Sequence, residues 1–132
     1  LGVSSAGLSG AAVTSPDPHR VVLHLNSGDE KVQRGALNNI RNLFQEVGRE
    51  HVRVELVVHG AGLTLLTKKD STLASELAQL KAAYDVEFTA CSNTMKAQGL
   101  TRADLIDQVD RTTPAMVRLI ELQEQGWIYI KP

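Results

Sequence analysis

The 132-residue chain holds one cysteine, and its position makes it the natural starting point. An apolar run, Val86-Glu87-Phe88-Thr89-Ala90, stops at Cys91, and Ser92-Asn93-Thr94 follows with residue types that start helices. A thiol is thus expected where a strand ends and a helix begins. The thiolate is the nucleophilic form of cysteine, and a helix N-terminus favours it through unpaired N–H groups and a partial positive charge. The chemistry this points to is sulfur chemistry on an accessible, partly ionised Cys91, with Lys96 adding longer-range help. The competing reading is a packed cysteine, since free cysteine is among the most buried residue types. A single cysteine makes no internal disulfide, so the fold does not depend on an oxidising compartment.

Two further strand ends carry polar groups: Asn26-Ser27-Gly28 after the first apolar run and His59-Gly60 after the second. In open α/β sheets ligands sit beyond the carboxyl ends of the strands. If the three strands are neighbours, Asn26, Ser27, Gly28, His59, Gly60, Ser92, Asn93 and Thr94 gather around Cys91. Backbone N–H groups from Ser92 to Thr94 would then stabilise an anion. His59 reads either as a base or as an imidazole held by the backbone at a strand end. Asn93 reads first as a helix cap, and His24, inside its strand, as a packed side chain.

Other chemistries find little support. No C-x-x-C or H-x-x-x-H pair offers metal-ligand spacing, so neither a metal nor another cofactor is expected. Neither glycine-rich phosphate loop nor a G-x-S-x-G elbow is present. Aromatic residues make up 4%, which leaves no stacking platform for bases or sugars. The net charge is -1 with both signs interspersed, so no nucleic-acid partner is expected. Nor is a membrane, because no stretch is long and apolar enough to span one.

The elements that must position these groups follow from periodicity. Arg20 to Asn26 reads as a buried strand, and Ser27 with Glu30 has capping-box spacing for a helix. Val32, Ala36, Leu37, Ile40, Leu43, Phe44 and Val47 recur at helical spacing, and Gly48 supplies the stop. Val52 to His59 begins with alternation and ends as a continuous apolar run, as a parallel strand covered on both faces would. A short helix around Leu63 to Thr67 and a second from about Ser71 to Ala83 come next. Thr101 and Asp104 mark a further helix start, Val109 to Thr112 a short strand, Thr113-Pro114 a capped helix, and Trp127 to Ile130 a last strand. Strands alternating with helices define one α/β domain with a mostly parallel sheet. Residues 1–18, small and uncharged up to Pro16-Asp17-Pro18, read as a flexible, expression-derived or secretory-leader extension. Residues 19–132 form the domain.

Four segments carry a resemblance: His24-Leu25-Asn26-Ser27-Gly28-Asp29, Val57-Val58-His59-Gly60, Ala90-Cys91-Ser92-Asn93-Thr94, and Leu122 to Pro132, which reads LQEQGWIYIKP. In this order they resemble the DsrE-like family of small sulfur-relay proteins over about residues 20–132. The resemblance implies a three-layer α/β domain with about five strands, assembled as a homotrimer or homohexamer. It implies sulfane sulfur held as a persulfide on Cys91, with sulfur-donor and sulfur-acceptor proteins as partners. Ser92 departs from the common Ala-Cys-Gly-Asn-Thr pattern. The cytoplasm is the family default, and the small-residue leader raises export. A sulfurtransferase or sulfur carrier is therefore weighed against a non-catalytic oligomeric module, binding a small anion or a protein, in which Cys91 is packed.

Overall fold

The computed structural model describes residues 17–132, so the extension expected over residues 1–18 lies almost wholly outside the described residues. Five strands form one all-parallel sheet: β1 (His19–Leu25), β2 (Val52–Val58), β3 (Glu87–Cys91), β4 (Arg111–Thr113) and β5 (Ile128–Ile130). Their spatial order is β4-β3-β2-β1-β5. The first four strands are added in sequence, and the chain then crosses the whole sheet to set β5 beside β1.

That reversal divides the helices between the two faces. Helices α1 (Glu30–Val47), α2 (Ala74–Tyr84) and α3 (Ser92–Gln98) lie on one face. Ala36, Leu37, Ile40, Phe44, Leu77, Leu80 and Met95 pack there against Val21, Leu23, Val54, Leu56 and Phe88. Among the described residues, helix α4 (Ala115–Glu124) alone covers the other face, where Ala115, Leu119 and Leu122 meet Val22, Val57 and Cys91. Alternation along a strand sends successive side chains to opposite faces. His24, Glu55, His59, Thr89 and Cys91 therefore share the face beneath α4.

Several boundaries differ from the sequence expectation. Helix α1 is capped by Asp29, whose carboxylate accepts from the Lys31 N–H at 2.8 Å, rather than by Ser27. Ser27 instead accepts from the Asp29 N–H and shapes the loop before the cap. The Thr101–Asp104 capping box is present, yet it opens only a 3-10 turn, Arg102–Asp104. Pro114, not Thr113, is the N-cap of α4, because Thr113 is still paired in β4 beside Cys91. The segment after β2 is a 3-10 helix, Gly60–Leu65, rather than a helix from Leu63 to Thr67.

Candidate functional site

Cys91 is both the last residue of β3 and the N-cap of α3, so its side chain stands at the carboxyl edge of the sheet. Register pairs Cys91 with Thr113 on β4. The chain turns at Pro114 and enters α4, and the Ala115 N–H returns to donate to Cys91 Sγ at 3.3 Å. The sulfur thus lies at the start of two helices at once. Burial pushes the thiol up, but hydrogen bonds from the Thr94 and Ala115 N–H groups, the Thr94 hydroxyl and the Asn93 N–H outweigh it. The net result is a thiol more acidic than ordinary cysteine. Lys96 is exposed, and the groups that act on the sulfur are these donors rather than a nearby cation.

The sulfur is not open to solvent as expected: Cys91 is only 6% exposed in the single chain, beneath the first turn of α4. Two concavities of about 300 and 310 Å³ lie elsewhere, one lined by Arg49, Arg53, Tyr84 and Trp127, the other by Thr64, Lys68, Gln98 and Asp104.

The loops after β1 and β2 do converge on this edge, because strands β1, β2 and β3 are neighbours. Gly60 has a φ of +59°, a left-handed conformation that glycine adopts without strain, and its N–H donates to Thr94 Oγ1 at 2.9 Å. Thr94 therefore links the second loop to the sulfur: it accepts from Gly60 and donates to Cys91. The two loops are in contact, since a Cβ on Gly62 would lie 3.1 Å from the Asn26 backbone and one on Gly28 3.1 Å from the Ala61 carbonyl oxygen. Gln33 locks them by donating to the Ser27 carbonyl and to Thr64 Oγ1. Ser92 is half-buried and Asn93 exposed at the start of α3.

His59 continues β2 by one residue, in register with Cys91 and on the same face. Its ring stacks on His24 with centroids 4.7 Å apart and 18° between planes. His24 Nδ1 and the Tyr129 hydroxyl are hydrogen-bonded at 2.6 Å, and Lys131 Nζ donates to Asn26 Oδ1 at 3.0 Å. The Nε2 atoms of both histidines are buried without a hydrogen-bond partner. Burial, then the charges of His59 and Lys131, lower His24 from 6.5 to about 4, and burial and Lys131 lower His59. In both, these effects favour the neutral imidazole. His24 is thus more than core filling: it joins the second loop to β5. Nothing local in Trp127–Lys131 signals which strand it will pair, so the sequence alone does not bring Tyr129 and Lys131 to this edge. No group of three or more His, Cys, Asp or Glu among the described residues is placed to hold a metal ion.

Below the sulfur, the same face carries a buried charge network. Glu55 is 0% exposed and receives a two-pronged contact from Arg118 of α4, Nε to Oε2 at 2.8 Å and Nη2 to Oε1 at 2.7 Å. Arg111 of β4 approaches the same carboxylate at 3.1 Å, and the Thr89 hydroxyl donates to it at 2.7 Å. Glu55 looks like the solvent side of an alternating strand in the sequence, and only its two arginine partners account for its burial.

The described residues thus form an all-parallel five-stranded α/β domain with one thiol at the carboxyl edge of its third strand. The chain belongs to the DsrE/DsrF-like family, whose model matches residues 20–132. It is similar to the solved structure of a protein of unknown function, MTH1491, from Methanobacterium thermoautotrophicum: 34% identity, a TM-score of 0.79, and coverage of 86% of this chain and 99% of that one. The ychN protein from E. coli shares the fold at 16% identity and a TM-score of 0.67, with the same coverage. No curated protein matches the chain. No helix among the described residues is long and apolar enough to cross a membrane.

Proposed function

We propose that the protein is a sulfur carrier that takes up sulfane sulfur as a persulfide on Cys91 and passes it to a partner thiol. The observation that carries this reading is the ring of donors on Cys91 Sγ from the starts of α3 and α4, which favours the thiolate. Membership of the DsrE/DsrF-like family supports it. In uptake, the Cys91 thiolate attacks the outer sulfur of a donor persulfide, R–S–S⁻, forming Cys91–S–S⁻ and releasing R–S⁻. In delivery, an acceptor thiolate attacks that outer sulfur, taking it as its own persulfide and restoring the Cys91 thiolate. No net oxidation occurs in either step. Thr94 and the Asn93 and Ala115 N–H groups hold the anionic sulfur, with Asn26, Ser27, Gly28, His59, Gly60 and Ser92 forming the surrounding loops.

The working form is a homo-oligomer, a trimer or hexamer. Met116, Val117 and Ile120 on α4 and Ile128, Tyr129 and Ile130 on β5 are exposed, an apolar surface larger than scattered single residues make. Intact-mass analysis after incubation with a persulfidated donor tests the chemistry. The native protein should gain the mass of one sulfur atom and Cys91→Ser none; no gain on the native chain refutes it. The burial of Cys91 favours one second reading, a non-catalytic oligomeric module. A thiol that iodoacetamide alkylates no faster than that of ordinary cysteine across neutral pH would establish that alternative.

A further inference from the structure

We propose that the buried Glu55–Arg118 pair is a positioning device for Cys91: it seats the first turn of α4 on the sheet so that the Ala115 N–H donates to Sγ. The first-turn geometry carries this. The Arg118 N–H closes the opening turn of α4 on the Pro114 carbonyl at 3.0 Å, so the residue whose guanidinium grips Glu55 belongs to the turn that begins with Ala115. Glu55 is fixed in turn, since it sits in mid-β2 with Thr89 and Arg111 on its remaining lone pairs. A two-pronged arginine–carboxylate contact fixes angle as well as distance, which a single apolar contact does not. The side chains of Ala115, Leu119 and Leu122, which also pack α4 on the sheet, are apolar and set no such angle.

Burying a carboxylate this completely is costly, and apolar side chains of similar volume often stabilise a core as well or better. A placement role explains why charge stands here. The charged groups facing Glu55 are Arg118 from α4 and Arg111 from β4, and Arg111 is shared with Glu87. This inference rests on Cys91 being the working thiol. It concerns the acidity of that thiol, which is read with no sulfur donor present, so its failure is distinguishable from a failure of persulfide loading.

The test is the pH profile of Cys91 alkylation by iodoacetamide in the full chain, for the native protein, Arg118→Met, Arg118→Lys and the double variant Glu55→Met/Arg118→Met. Arg118→Met leaves Glu55 facing Arg111, so the carboxylate is not stranded. The double variant removes both partners of the pair and leaves Arg111 to Glu87. Weakening one hydrogen bond to an ionised sulfur should raise the midpoint of the profile by about one unit, and slow alkylation below it roughly tenfold. Arg118→Lys should recover part of that shift. Arg49→Met, which breaks the exposed pair with Asp85, should leave the profile unchanged. A native midpoint in folded Arg118→Met or in the folded double variant overturns the proposal. So does an equal shift in Arg49→Met. Failure of the double variant to fold also overturns it, because the pair would then be serving the core alone.

Discussion

Replacing His24 with phenylalanine should remove a specific part of the protein's acid sensitivity. In the unfolded chain an imidazole takes up its proton near pH 6.5, whereas in the fold His24 does so only near 4. Between those values the unfolded state holds the extra proton and is favoured by it. The stability tied to His24 is complete above about pH 6.5, declines as the pH falls, and is lost by about pH 4. The shift of roughly two and a half units amounts to about 3 kcal/mol below pH 4, and to about 2 kcal/mol at pH 5, at about 1.4 kcal/mol per unit. His59 adds to the decline in the same direction. Urea unfolding of the native protein and of His24→Phe, measured at intervals from pH 7.5 to 4, isolates the effect, because carboxylate titration is common to both. The native chain should lose about 2 kcal/mol more than the variant between pH 7 and pH 5. Parallel stability curves over that interval would refute the reasoning.

Two other outcomes follow from the same geometry. Thr94→Val removes both the acceptor for the Gly60 N–H and a donor to Sγ, so the alkylation midpoint of Cys91 should rise by about one unit, while Thr94→Ser should stay close to native; equal profiles for the two variants would count against the relay. Ile120→Glu places a charge on the exposed apolar side of α4; on the proposed homo-oligomer reading, light scattering should show a smaller particle for the variant than for the native protein, with little change in circular dichroism.

How much of this was legible in the sequence depends on how local each signal is. Cys91 at a strand-to-helix junction could be read from six or seven residues, and so could the strands ending at Leu25 and Val58. Their meeting followed from one inference, that the sheet is parallel. Ser27 offers capping-box spacing for α1, yet Asp29 is the cap, and only the loop conformation decides between them. Glu55 was illegible as a buried group: Arg118 lies 63 residues away and arrives by the crossover to the other face. Tyr129 lies in, and Lys131 just after, a strand whose neighbour is set by sheet order, and β4 could equally have carried the chain outward. The Ala115 donor required knowing that β4 pairs with β3 at Cys91 and that a single proline separates β4 from α4.

The pairing of β5 with β1 bears on how the protein is made. His24 and Tyr129 are 105 positions apart, so in a growing chain β1 is made well before the strand that covers its outer border. Until then the outer border of β1 is an unprotected row of N–H and C=O groups, the kind of border on which strange strands dock. A ribosome-bound intermediate would therefore be stickiest along the side where, in the finished molecule, Tyr129 closes over His24.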